Sequence, residues 1–155
     1  MINKVDIDTK IGDFHLKINL LLSKGINCLF GPSGSGKTSI VNCMAGLIKP
    51  KSALIKINNR TLNDTKNKFF LPIHKRRIGY VFQDSRLFPH LNVKQNLMYG
   101  HNIRKYNKKN FIFNDIVELL KLDNVLLRYP YNLSGGEKQR VSIGRAILSQ
   151  PDILI

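Results

Sequence analysis

The sequence predicts an α/β fold: a mixed sheet with an antiparallel β flank, a glycine-rich turn between a central strand and a helix, and a helical insertion further along. Three observations carry this prediction. Across residues 14–22 the apolar side chains Phe14, Leu16, Ile18, Leu20 and Leu22 fall on every second position, with His15, Lys17 and Asn19 between them. That period belongs to a half-buried, antiparallel strand. Residues 26–30 are nearly continuous apolar, as a central strand covered on both faces would be, and lead directly into a Gly/Ser-rich turn. Finally, Phe113, Ile116, Val117 and Leu120 stand at i, i+3, i+4 and i+7, the stripe of an amphipathic helix.

The remaining elements follow in order. Val5 and Ile7 suggest a shorter partner strand, joined to the alternating one through Gly12 and Asp13. After the glycine-rich turn, Ile40, Val41, Met44, Leu47 and Ile48 share one helical face, and Pro50 closes that segment. Residues 53–57 read as a strand and the polar residues 58–68 as a loop. Residues 78–82 form a second buried strand candidate ending at Gln83, and residues 92–99 a short helix. Pro130 breaks the chain before a helix over about residues 134–149. Ile153, Leu154 and Ile155 read as the opening of a buried strand that would continue past the last residue.

With 155 residues and 43% hydrophobic content, the chain can bury one core and is read as one domain. No run approaches the ~18 apolar residues of a membrane span. Residues 1–10 contain Asp6 and Asp8 and lack the apolar stretch of a secretory signal, so a cytoplasmic location is expected. The two cysteines, Cys28 and Cys43, are read as buried small hydrophobes. Lys and Arg number 25 against 10 Asp and Glu, a formal charge of +15. The positive charge is scattered over Lys66 and Lys68, Lys75, Arg76 and Arg77, then Arg104, Lys105, Lys108 and Lys109. No RNA-binding fingerprint or zinc spacing accompanies it, so compositional bias is favoured and no nucleic-acid partner is expected.

Two motifs point to chemistry. Gly31-Pro32-Ser33-Gly34-Ser35-Gly36-Lys37-Thr38 matches G-x-x-x-x-G-K-[ST] in full, between an expected strand and an expected helix. Its glycines let successive backbone N–H groups converge on phosphate oxygens, and the positive end of the helix adds a favourable field. Lys37 can reach the terminal phosphates, the Thr38 hydroxyl can ligate Mg2+, and Ser39 can add a phosphate hydrogen bond. The second motif is Leu133-Ser134-Gly135-Gly136-Glu137. Ser134 is a good N-cap, while Gly135 and Gly136 weaken a helix but leave its first turn open to a phosphate. A second phosphate-facing helix end implies a second nucleotide, or one shared between two subunits. The alternative is a plain cap followed by a flexible turn, which explains Ser134 but not both glycines.

In these motifs the chain resembles the ABC (ATP-binding cassette) ATPases. Residues 133–137 look like their signature motif, and Gln83, after Gly79-Tyr80-Val81-Phe82, looks like their Q-loop glutamine. The resemblance implies a P-loop NTPase fold of ABC type, with the C-terminal part of that fold missing. Residues 1–155 would be a partial nucleotide-binding domain, with the Q-loop and helical insertion at about 84–134 and the signature and its helix at 133–149. It further implies ATP and Mg2+ as cofactors, with Gln83 near the magnesium and the attacking water. A second ATP-binding subunit in a homodimer, a transmembrane permease and, indirectly, a solute-binding protein would be partners, at the cytoplasmic face of the membrane. The catalytic Asp and Glu and a switch histidine would lie beyond Ile155, so the short chain alone is expected to be inactive, leaving a nucleotide-binding module as the alternative. Phe14 lies in the region of the family's adenine-stacking aromatic.

A narrower resemblance, over residues 77–90, Asn96-Leu97, Tyr99-Gly100 and residues 143–146, is to the ATPase subunits of molybdate importers. Sulfate, polyamine, iron and sugar importers share much of that framework. A DNA-maintenance ATPase would carry long heptad arms or zinc cysteines, which are absent. The Arg86, Leu87, Phe88 and Pro89 tip is expected to dock a permease's coupling helix; the alternative is a loop folded back on the helical insertion.

Overall fold

The first elements of the computed structural model, which describes residues 3–103 and 113–155, are two strands joined by a two-residue turn. β1 (Lys4–Ile11) and β2 (Phe14–Leu21) pair antiparallel with Ile11 opposite Phe14. Gly12, at φ 58°, takes the left-handed first position of that turn. The alternation holds on β2: Leu16 is buried while His15, Lys17 and Asn19 face solvent, although Phe14 is also exposed. β3 (Ser52–Ile57), β4 (Arg60–Asp64) and β5 (Phe69–Phe70) extend the sheet in the order β2-β1-β3-β4-β5. Val5, Ile7, Ile55, Ile57 and Leu62 are buried side chains of this sheet.

β4 corrects the expected loop over residues 58–68. Asn58 and Asn59, at φ 49° and 63°, make the double left-handed turn that the right-handed twist of a tight hairpin favours. Its two buried positions are Leu62 and Asn63, and the second is polar, which hides the strand from a hydrophobic pattern.

α1 (Lys37–Ala45) buries Ile40, Cys43, Met44 and Ala45. It ends before Pro50: Gly46 turns left-handed at φ 83°, and the Leu47 N–H donates to the Asn42 carbonyl at 2.9 Å, a Schellman-type closure. Leu47 and Ile48 therefore lie past the helix rather than on its face. The central strand expected over residues 26–30 does not form. Ile26 and Phe30 are 98% and 100% exposed, because among the described residues no backbone ladder reaches this segment, and a strand exists only through its neighbours.

The chain divides into two compact units, Met1–Arg76 and Arg77–Ile155. In the second, β6 (Ile78–Gly79) runs parallel to β7 (Ile153–Leu154). The ladder continues through the Val81 N–H, which donates to the Ile155 carbonyl at 2.7 Å. The expected strand at 78–82 is thus shorter, and the terminal strand forms but is only half-buried. α2 (Val93–Ile103), α3 (Phe113–Leu119) and α4 (Gly135–Leu148) surround a core of Val93, Leu97, Ile116, Val117, Leu122 and Val141. α2 outruns the expected short helix. It starts on a reciprocal cap: the Asn92 N–H donates to Gln95 Oε1 and the Gln95 N–H to Asn92 Oδ1, both at 2.9 Å. Gly144 lets α4 approach α2, since a Cβ there would stand 2.7 Å from Leu97 Cδ2. The basic cluster Arg104, Lys105, Lys108 and Lys109 lies outside the described residues.

Candidate nucleotide-binding site

The phosphate loop, residues 31–38, feeds α1 through Gly36, the helix N-cap, at φ 87°. Glycine is required there twice over: the backbone is left-handed, and a Cβ would meet the Phe14 ring at 2.9 Å and Leu16 Cδ1 at 3.2 Å. The β-hairpin thus forms the floor of the loop. Gly34, at φ 81°, makes a second left-handed turn under Ser33 and Ser35. Lys37 arches back over the loop, and its ammonium donates to the carbonyls of Gly31 (2.8 Å) and Pro32 (2.6 Å) and lies 3.4 Å from Ser35 Oγ. The first turn of α1 contains no acidic residue, and Gly36 offers no side-chain cap. Its leading N–H groups therefore have no intrahelical partner and their field is not cancelled. Thr38 is exposed and Ser39 half-buried at this helix start. The arrangement suits a polyanion: a cation at the loop mouth, open N–H donors and no negative side chain.

The other end of α1 is anchored by a residue that sequence reasoning left among scattered surface charges. Arg76 is 2% exposed. It donates to the carbonyls of Met44 (2.8 Å), Cys43 (3.2 Å) and Leu71 (2.8 Å) and to Asn63 Oδ1 (2.6 Å). Its guanidinium also lies 4.5 Å from the centre of the Phe70 ring. Burial lowers its pKa to about 10, which leaves it charged at neutral pH. It places a positive charge at the negative end of α1, donating to the Met44 carbonyl and sharing the Cys43 carbonyl with the Gly46 N–H (3.2 Å). Cys43, beside it, is buried with its thiol pushed up to about 11, while Cys28 is exposed, contrary to expectation, because the strand meant to bury it is not formed.

The signature segment opens α4. Ser134 is the N-cap: its Oγ accepts from the Glu137 N–H at 3.3 Å, while its own N–H donates to Glu137 Oε2 at 2.7 Å. This is a complete capping box. The hydrogen bonds from Ser134 hold the Glu137 carboxyl below its ordinary range. Gly135 and Gly136 face outward. A Cβ on Gly135 would meet nothing within 4 Å, and on Gly136 only the tip of Arg140 at 3.7 Å. Packing inside the chain therefore does not demand either glycine, although each weakens the helix by up to about 1 kcal/mol relative to alanine.

Gln83 is exposed, in a turn that the Ser85 N–H closes onto the Phe82 carbonyl at 3.0 Å. Ser85 and Arg86 follow at φ 60° and 40°. Two consecutive non-glycine residues in the left-handed region cost roughly 1–2 kcal/mol each. Beyond them the tip folds back on the helices. Leu87 packs against their core, and Phe88 is half-buried with its ring 4.3 Å from that of Tyr99. Fully buried Asn96 holds the Phe88 backbone from both sides, accepting from its N–H at 2.9 Å and donating to its carbonyl at 3.1 Å. The loop thus folds back on the helices, the alternative to a docking surface, with Leu87 and Phe88 finding apolar cover within their own unit while Arg86 and Pro89 stay exposed.

Together these features define a phosphate-loop nucleotide-binding cassette. The family model described as "ABC transporter" matches residues 17–155. The molybdenum import ATP-binding protein ModC of Aliivibrio fischeri is 51% identical over 152 residues, covering 97% of this chain and 41% of that protein. The protein of the same name from Haemophilus influenzae is 49% identical, with 98% and 42% covered. Among solved structures, a dimeric ATP-binding cassette in a post-hydrolysis state bound to ADP and Pi superposes with TM-score 0.73 at 28% identity. That match covers 99% of this chain and 72% of the other. CbiO1 of Clostridium perfringens, part of an ABC transporter complex, gives 0.75 at 26% identity, covering 97% and 62%. The chain belongs to the ABC transporter ATP-binding family, and it spans about two fifths of the length of the curated relatives it matches.

Proposed function

We propose that this chain binds ATP as the nucleotide-binding part of an ABC importer ATPase, and that the importer moves molybdate or a related oxyanion. The observation that carries the first part is the loop at residues 31–38, whose single cation arches over a helix start free of acidic side chains. The second part is supported by the names of relatives near 50% identity that align with almost all of this chain.

In this reading Gly31, Pro32, Ser33, Gly34, Ser35, Gly36, Lys37, Thr38 and Ser39 cradle the phosphates. Lys37 exchanges its loop carbonyls for phosphate oxygens. The Thr38 hydroxyl would hold Mg2+, and in the same reading so would Gln83; the ion would neutralise phosphate charge, and such a hard ion takes few protein ligands beside phosphates and waters. Ser134, Gly135, Gly136 and Glu137 face the ATP of a second copy, which accounts for two glycines that internal packing does not need. Glu137 acts there by holding Ser134 in its cap rather than by touching phosphate. The paired subunits work beneath a transmembrane permease supplied by a solute-binding protein, at the cytoplasmic face of the membrane. No helix among the described residues is long and apolar enough to cross a membrane.

Titration with a fluorescent ATP analogue in the presence of Mg2+ tests the reading. Lys37→Ala should weaken binding roughly ten- to a hundredfold, the value of a charge-assisted contact of about 1.5–3 kcal/mol. Equal affinity of the two proteins would overturn the assignment of the loop.

A further inference from the structure

Three contacts bind the turn after Gln83 to the helix that begins at the signature segment. Ser85 Oγ donates to Gln139 Oε1 at 2.8 Å. Six residues further along α4, Arg145 donates through one guanidinium nitrogen to the carbonyls of Ser85 (3.2 Å) and Arg86 (2.9 Å). The guanidinium also lies 5.1 Å from the centre of the Phe88 ring. The residues so gripped are the two that stand in the left-handed region, Ser85 and Arg86. Non-glycine residues keep that conformation where their surroundings over-determine it, and here the surroundings include one face of α4. Local contacts close the turn on itself: the Ser85 N–H donates to the Phe82 carbonyl at 3.0 Å, the Arg86 N–H to the Asp84 carbonyl at 2.7 Å, and the Arg86 side chain pairs with Asp84 at 3.1 Å and stacks over Phe82 at 4.2 Å. The bonds from Gln139 and Arg145 are the ones that tie it to another element.

We infer that Arg145 and Gln139 are positioning residues for Gln83. They clamp the strained turn to α4, so that Gln83 and the open helix start at Ser134 are carried on one rigid body, and a partner seated on Gly135 and Gly136 shifts Gln83 with them. The inference rests on the proposed roles of Gln83 and the signature segment. The clamp itself is measured without nucleotide, so its failure is separate from failure of the Lys37 titration.

The test is residue-resolved amide exchange in the 155-residue chain, with the Gln83 side-chain amide resonance as a second readout. In Arg145→Met, the Ser85 N–H should exchange roughly ten- to a hundredfold faster, the ratio expected when hydrogen bonds from a charged donor are lost. The Gln83 resonance should shift as well. The Phe88 N–H, held by Asn96, and the amides of α4 should keep their wild-type rates. Adding Arg86→Gly should slow Ser85 exchange again and return the Gln83 resonance, because glycine takes a positive φ without steric cost. A residue that only filled space would show no such rescue. Unchanged exchange at Ser85, faster exchange throughout α2 to α4, or no recovery with glycine would each overturn the inference.

Discussion

Arg76 carries a charge into the interior of the first unit and meets carbonyl oxygens there: Cys43, Met44 and Leu71, with Asn63 Oδ1 beside them. Removing it would take the guanidinium donor from the Met44 and Leu71 carbonyls and from Asn63 Oδ1, while the Cys43 carbonyl would keep the Gly46 N–H at 3.2 Å. We expect Arg76→Met to lower stability by about 2–4 kcal/mol, since each buried orphan group costs about 1–3 kcal/mol and some can relax or admit water. Urea unfolding reads this as a lower midpoint, and an unchanged midpoint would show that the carbonyls find other donors. Arg76→Lys should recover part of the loss, because an ammonium cannot span acceptors arranged around a planar fork. None of this was legible in Lys75-Arg76-Arg77, three adjacent cations that count in the sequence only as part of a scattered positive charge. The fate of a charge depends on whether distant carbonyls converge on it, and those carbonyls come from residues 32 and 33 positions away in sequence. Lys37 was legible for the opposite reason: its partners, Gly31 and Pro32, lie within its own loop.

The same division runs through the elements. The β1–β2 hairpin, α1 and α4 could be read because period, turn residues and caps are local signals. β4 could not, since Leu62 is followed by Asn63, a buried polar position that acquires meaning only from Arg76 on another segment. Residues 26–30 failed in the other direction: their composition is that of a central strand, but pairing is a property of neighbours, and among the described residues they have none in a ladder. α4 shows what a local signal can determine, including its response to pH. Glu137 accepts from the Ser134 N–H, and its carboxyl pKa is lowered from the ordinary 4.5. A depressed folded-state pKa means that the unfolded chain binds the proton first on acidification. The cap's contribution is therefore complete above about pH 4.5 and lost as pH falls through the lower folded value. The Ser134 amide should lose exchange protection over that acid range. Glu137→Gln, which can still accept through its amide oxygen, should flatten the pH dependence at that amide. A variant that keeps the wild-type acid profile would place the titrating group elsewhere.

At the scale of the whole molecule, the open start of α4 is the feature that the chain itself does not explain. Gly135 touches nothing, so a side chain there meets no steric objection, and it does not stand among the residues with positive φ. Within a single copy, Gly135→Glu should therefore be favourable. It replaces a poor helix former, worth up to about 1 kcal/mol, and puts a negative charge at the positive end of a helix, worth about 0.3–1 kcal/mol more. If instead the glycines keep the helix end clear for the phosphates of ATP held by a second copy, the same carboxylate meets like charge and occupies the space those phosphates need. The two effects have opposite signs and separate readouts. Thermal unfolding of the single chain should rise slightly, and ATP affinity through residues 31–38 should be unchanged. ATP-dependent pairing, followed by sedimentation, should be lost in Gly135→Glu and retained in Gly135→Ala. Pairing that survives the glutamate would mean that the helix start faces solvent in the dimer. Loss of ATP binding together with pairing would mean that Gly135 serves the nucleotide of its own chain, and the shared-site arrangement would have to be abandoned.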